Sequence, residues 1–241
     1  MKRQKLLSLV RQAVETYRMI EEGDRIAVGV SGGKDSLTLL LALKELSEFY
    51  PKHFSVCAVS VDLGFGNADD TNIRSFCSKL QTELSVISTR IAQIVMEEKQ
   101  EKNPCALCAK MRKGALVQEA LRMGCNKIAY AHHKDDFIET MLLSLIFQGQ
   151  FYVFPPVTRF EDTGLTVLRP LMLVDEAQVK GFCSRYQIPV MKSPCPVDGK
   201  TKRAYAKELL AQIQREHPGA KKRMFHAIIK GGIPDWPKTD L

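Results

Sequence analysis

Apolar runs are short throughout this 241-residue sequence: the longest, Leu37–Leu43, is interrupted by Thr38. That is far below the roughly 20 residues a membrane helix needs. A secretory signal is missing too. The basic opening stretch MKRQKLLSLVRQAVETYRMI is broken by polar residues at helical spacing, so it reads as an amphipathic helix and the cytoplasm is the expected location. Without a secretion signal, the seven cysteines do not suggest a disulfide framework. Neither internal repeats nor low-complexity segments occur. The two commonest phosphate-loop signatures also fail. In the Walker A pattern G-x-x-x-x-G-K-S/T, Val28 stands in place of the first glycine and Asp35 in place of the hydroxyl; the Rossmann G-x-G-x-x-G is not matched either.

The composition is that of a globular chain, 45% hydrophobic and 26% charged, long enough for one sizeable α/β domain. Its net charge is +8, and residues 199–230 carry nine Lys or Arg against two Glu, nearly the whole excess. A basic stretch of that density is a footprint for a polyanion such as RNA, or a solvated helix face. Continuous apolar runs at RIAVGV (25–30) and FSVCAVSVD (54–62) suit strands buried on both faces. Further strands are expected at 83–89, 126–133 and 164–171. Helices are expected at Lys34–Phe49, 69–82, Ala109–Met123, Lys134–Phe147 and Asp175–Tyr186, with two more at 201–214 and 219–230. This alternation predicts an α/β fold with a doubly wound, parallel, five-stranded sheet. An N-terminal helix (1–22), an α/β domain (23–192) and a cysteine loop with a basic helical tail (193–241) are the expected divisions. Ligands of such sheets sit at the carboxyl ends of the strands, where the winding reverses.

Three groups of residues fall just after predicted strands. In SGGKDS (31–36), Gly32 and Gly33 let the backbone approach an anion, the next helix points its positive end there, and Ser31, Ser36 and Lys34 can add hydrogen bonds and charge. AHHKDDFIET (131–140) sets His132, His133, Asp135, Asp136 and Glu139 at a strand end and helix start, where acids also favour the helix dipole. Cys105 and Cys108 in NPCALC, and Cys195 in SPCP, occupy proline-marked loops, whereas Cys57, Cys77, Cys125 and Cys183 sit in core-like patterns. Lys110, Arg112, Lys113 and a helix end beside the C-x-x-C are expected to lower its thiol pKa values. Zinc, a redox disulfide and an iron–sulfur cluster all remain open to a C-x-x-C.

SGGKDS closely resembles the signature of the PP-loop, or N-type ATP pyrophosphatase, superfamily. The resemblance implies an adenine nucleotide α-hydrolase-like fold and cleavage of ATP between its α- and β-phosphates. It implies that Ser31, Gly32, Gly33, Lys34, Asp35 and Ser36 bind the phosphates, with Asp35 capping the helix or positioning Mg2+. By the same match to H-x-x-D-D, Asp136 assists Mg2+ or the reacting centre, His132 contacts the nucleotide and Asp62 holds the adenosine part. Lys34, Asp35 and Asp136 are thus the candidate catalytic residues. SGGKDS, PCALC, AHHKDD with ET, LRPL (168–171) and a cysteine loop before a basic helix together resemble the tRNA 2-thiocytidine synthetase (TtcA) family over residues 5–230. That resemblance implies ATP-dependent tRNA thiolation, with the C2 oxygen of a cytidine adenylated and then replaced by sulfur. It implies a [4Fe-4S] cluster on Cys105, Cys108 and Cys195 with one iron open, a sulfur donor such as a cysteine desulfurase, and a homodimer. One departure stands out: Cys195 is a single downstream cysteine where the family often shows two. A cluster-free persulfide relay and a non-catalytic nucleotide-binding iron–sulfur sensor are the alternatives.

Overall fold

The computed structural model describes residues 1–66, 70–98, 104–192, 195, 201–233 and 236, the side chains of 97 and 98 excepted. Six strands form one sheet: β1 (Asp24–Gly29), β2 (Phe54–Asp62), β3 (Glu83–Ser88), β4 (Lys127–Ala129), β5 (Val157–Arg159) and β6 (Thr166–Leu168). Their order is β3-β2-β1-β4-β6-β5. Every pair is parallel except β5–β6. The sixth strand, against the five expected, is the three-residue β5, which folds back antiparallel on β6 and closes that edge. A VTR triplet between Pro156 and Phe160 is too short to leave a periodic signal. The winding reverses between β1 and β4.

Alternation along the strands explains why they read as unbroken apolar runs. Ile26, Val28, Ala58, Ala129 and Leu168 enter one core; Ala27, Cys57, Val59, Ile128 and Val167 enter the other. The larger core is covered by α1 (Arg3–Thr16), α2 (Lys34–Ser47), α3 (Thr71–Lys79), α6 (Lys134–Gln148) and α7 (Glu176–Tyr186), together with the tail helices α8 (Lys202–Glu216) and α9 (Ala220–Lys230). In α2 every residue from Ser36 to Leu43 is buried, because this helix lies between the sheet, α1 and α7. The smaller core is covered by α5 (Pro104–Arg122) through Leu116, Val117 and Ala120. A short α4 (Ile91–Gln93) and a π-helical turn at Ile94–Glu98 come before it.

Two strands are shorter than their apolar patterns suggest. The chain leaves β4 after Ala129 and β6 after Leu168, so residues 130–133 and 169–171 lie across the carboxyl edge of the sheet. The Tyr130 N–H donates to Leu168 O at 2.9 Å, the last link between the two chains before they part. The tail helices are not an independent body. Phe225, Ile228 and Trp236 belong to the same core as Phe137, which is 0% exposed, and Trp236 Nε1 donates to Val153 O at 3.0 Å. Phe225→Ala should therefore cost about 3–5 kcal/mol of global stability, read as a single denaturant transition. Two separate transitions would show that the tail folds on its own.

Candidate active site

The loop after β1 is built to hold its shape before any ligand arrives. Val30 N–H donates to Val59 O at 2.8 Å, continuing the ladder, and the chain then turns through Gly32 at φ +77°. A side chain at Gly32 would be strained by that φ, and its Cβ would fall 2.9 Å from Met191 Sδ. Ser36 Oγ donates to Gly33 O (3.0 Å) and accepts from Ser31 N (3.2 Å), while Ser31 Oγ accepts from Gly33 N (3.4 Å). Gly33 caps α2 without a side-chain hydrogen bond, which leaves the first N–H groups of the helix for an anion.

Lys34 is already engaged. Its Nζ donates to Asp35 Oδ2 at 2.7 Å and lies 3.2 Å from Glu176 Oε1, at the start of α7. Burial opposes its charge, but Asp35 and Glu176 outweigh burial and raise its pKa. Glu176 is 7% exposed and also meets Lys207 of α8 at 2.6 Å. Burial works against that carboxylate, yet Lys207 and Lys34 bring its pKa down to about 2.

The facing lip comes from residues 132–139. His133 is buried and brings Asp35 Oδ1 to 3.8 Å of its Nε2 and Asp136 Oδ2 to 3.2 Å of its Nδ1. Asp136 caps α6 by accepting the His133 N–H at 2.9 Å. Burial raises the Asp136 pKa against the pull of His133 and Arg203. Asp135 accepts the Glu176 N–H at 2.8 Å and pairs with Lys221 of α9. Asp35 Oδ1 is buried with no hydrogen-bond partner. Asp35, His133 and Asp136 thus meet between β1 and β4. His132 points elsewhere, stacking on Phe154 at 4.6 Å. Asp62 ends the neighbouring strand β2, where its Oδ1 accepts the Gly64 N–H at 2.9 Å.

Cys105, Cys108 and Cys195 line one cavity of about 180 Å³, together with Phe65, Ala92, Val95, Met96 and Arg112. Two expectations change here. Cys105 and Cys108 lie on α5 rather than in a loop, because Pro104 opens the helix at the position where its missing N–H costs nothing; spacing of three then puts both thiols on one face. Nor is the Cys108 pKa lowered: burial raises it, opposed by Arg112 and reinforced by the neighbouring Cys195 and Cys105. Among the described residues, no three His, Cys, Asp or Glu side chains converge on a single ion; the cysteines stand around a space instead. The other four are buried, as core residues should be.

Sequence reasoning missed Glu176, whose place on the first turn of α7 looks like ordinary helix capping. It also missed that Lys221 and Lys207 of the basic tail face these acids.

Glu139 gives the lip a pH dependence. Burial, reinforced by Asp136, raises its pKa from 4.5 to about 7. Between those values the folded chain holds the extra proton, so stability falls as pH rises through that window and the penalty is constant above it. Glu139→Gln should raise the melting temperature at about pH 8, by an amount equivalent to roughly 1–3 kcal/mol, and make no difference at about pH 4. Identical melting at about pH 8 would mean that the carboxylate ionises there without penalty.

Residues 3–213 match the PP-loop domain family. The chain is 38% identical to the tRNA-cytidine(32) 2-sulfurtransferase of Pelobacter propionicus over 227 residues, covering 93% of this chain and 84% of that one. It is 36% identical to the same-named protein of Geobacter metallireducens, covering 93% and 88%. Among solved structures it resembles the U34-tRNA thiolase NcsA from Methanococcus maripaludis with its [4Fe-4S] cluster, at TM-score 0.72 and 21% identity, covering 91% of this chain and 76% of that one. The NH3-dependent NAD synthetase of Campylobacter jejuni shares the fold more loosely, at TM-score 0.52 and 16% identity, with 98% of each chain covered. With SGGKDS at the reversal point of the sheet, a family match over residues 3–213 and relatives matched over 84–88% of their length, the chain belongs to the PP-loop domain family and, within it, to the tRNA-cytidine 2-sulfurtransferase family.

Proposed function

We propose that this protein is an ATP-dependent tRNA sulfurtransferase that adenylates the C2 oxygen of a cytidine, the nucleoside at position 32 by analogy with its relatives, and replaces it with sulfur. The observation that carries this reading is the shared cavity. Cys195 and the C-x-x-C of α5 come from distant parts of the chain, yet all three thiols face one space.

ATP would lay its phosphates on Ser31–Ser36, against the α2 N–H groups and Lys34, with the adenosine towards Asp62. A triphosphate arriving beside Asp35, Asp136 and Glu176 adds negative charge to a site where Lys34 is already shared. The unpartnered Asp35 Oδ1 and the buried Asp136 supply hard oxygen donors suited to Mg2+. The base oxygen then attacks the α-phosphorus and the α–β bond breaks. Pyrophosphate leaves into the loop, where Lys34 and the N–H groups balance its charge. His133, 3.2 Å from Asp136, orients that carboxylate. AMP later departs with the base oxygen as sulfur takes its place on the carbon.

Cys105, Cys108 and Cys195 fit a [4Fe-4S] cluster in their chemistry: three soft thiol ligands lining one cavity. When bound, such a cluster supplies an iron free of protein thiolate at which sulfur can be presented. Phe65, Val95 and Met96 keep the surroundings apolar. The family resemblance adds two partners, a sulfur donor such as a cysteine desulfurase and a second copy of the chain. Among the described residues no helix is long and apolar enough to cross a membrane.

Incubation of anaerobically purified protein with ATP, Mg2+, a sulfur source and tRNA should release AMP and pyrophosphate and yield 2-thiocytidine by nucleoside mass spectrometry. ADP with orthophosphate would overturn the reading. Lys34→Ala should slow thiolation by about 10² or more. Cys105→Ala, Cys108→Ala or Cys195→Ala should lose about four irons per chain together with thiolation, while ATP binding persists.

The tail divides its cations between two tasks. Lys221 and Lys207 are held by Asp135 and Glu176, leaving the exposed Lys202, Arg215 and Lys222 to meet RNA phosphates. Changing these three to Gln should weaken tRNA binding and flatten the log–log salt dependence by roughly 0.7–0.9 for every phosphate that is no longer neutralised, without altering ATP affinity. An unchanged slope would make this face a solvated surface only.

A further inference from the structure

Beside the phosphate loop, on the flank of β1 away from β2, four buried polar atoms have no hydrogen-bond partner: His133 Nδ1, which has Asp136 Oδ2 3.2 Å away, and three others, Tyr130 OH, His132 Nδ1 and Arg169 Nε. Buried polar groups are ordinarily satisfied, so three orphans on two adjacent strand ends call for an explanation. Tyr130 and His132 follow β4 and Arg169 follows β6, at the carboxyl edge where sheets of this kind place their ligands.

Resting on the proposed tRNA thiolation, we infer that Tyr130, His132, Phe154 and Arg169 form the pocket that receives the target pyrimidine base. They bring aromatic and guanidinium groups together at one strand edge. The His132 and Phe154 rings lie 4.6 Å apart at 33°, and the Arg169 guanidinium sits 4.7 Å from the Phe154 centroid. Aromatic and guanidinium faces are what proteins offer to an unstacked RNA base. Arg169 is only 8% exposed and is fixed by donating from Nη1 to Pro155 O (2.6 Å) and Thr158 Oγ1 (3.1 Å), which leaves Nε as a donor aimed at something else. A phenol, an imidazole nitrogen and one guanidinium N–H match the mixed carbonyl, ring-nitrogen and amine edge of a pyrimidine.

Charge and position agree with that choice of ligand. Burial, with Arg169 and Arg203 nearby, lowers the His132 pKa to about 3, so this ring is neutral towards a neutral base. The Arg169 pKa falls only to about 10, also through burial, and its charge is retained at neutral pH. Arg112 connects the pocket to the thiols: it lines the cysteine cavity, and its charge acts on both Tyr130 and His132. The half-exposed Tyr152 lies close to Arg169.

Tyr130→Phe and His132→Phe test the pocket, since each keeps a ring and deletes the orphaned atom. Removing an unpartnered buried polar group should leave the melting temperature unchanged or higher. Affinity for α,β-methylene-ATP in the absence of RNA should match the wild type. Single-turnover thiolation of tRNA should fall about tenfold in each variant. Wild-type thiolation rates in both would overturn the inference and leave the proposed function standing. Weaker binding of the ATP analogue would overturn it too, by making this an adenine pocket. Failure of the wild-type protein to thiolate any tRNA would remove the function and the inference together.

Discussion

Glu176 meets three lysines with one carboxylate: Lys34 from the phosphate loop, Lys180 from its own helix and Lys207 from the tail. Its backbone N–H is held by Asp135, which also takes Lys221 of α9. Two adjacent acids therefore tie α2, α6, α7, α8 and α9 together at the carboxyl edge of the sheet. The exposed pair with Lys180 contributes little. The pairs with Lys34 and Lys207 differ, because removing the buried carboxylate would leave two cations facing one another, with Asp35 as the remaining partner of Lys34. The same group that fastens the tail also holds Lys34 at the start of α2.

Packing elsewhere makes that concentration of charge tolerable. Apolar residues on both faces of β1, β2, β4 and β6 fix the strands from the two cores, so their ends can carry polar groups without loosening the scaffold. The price in regular structure is visible at β4 and β6, where only three residues of each stay in the sheet. The residues beyond, 130–133 and 169–171, bring Tyr130, His132, His133 and Arg169 to that edge instead.

The strands and the helices after them were legible because each left a periodic or continuous apolar signal, whereas the strand order that puts the reversal between β1 and β4 leaves none. The phosphate loop was legible from Gly32, Gly33 and Lys34 in a strand–turn–helix setting. Less legible was anything set by tertiary contact. The length of β4 depends on where Tyr130 parts from Leu168, which local pattern does not encode. Pro104 looked like a loop marker but opens α5, since proline suits both a turn and a first helical position. The Cys108 pKa rises where neighbouring cations suggested a fall, because a spacing rule carries no information about burial. Glu176 and Lys221 stand 45 positions apart in a sequence that gives no hint of their common neighbour Asp135.

Met191 N–H donates to Gly32 O at 2.9 Å, and its side chain covers the face that Gly32 leaves open. Cys195 follows four positions later, within about 14 Å of chain at full extension. The phosphate loop and the third thiol are therefore on one short tether. By thermodynamic reciprocity, whatever free energy a nucleotide contributes to fixing Gly32 through this bond is returned, equal in size, when the cysteine end is fixed first. Loading one end would change affinity at the other by the same factor in both directions, so the fully loaded protein would be equally stable whichever end was filled first.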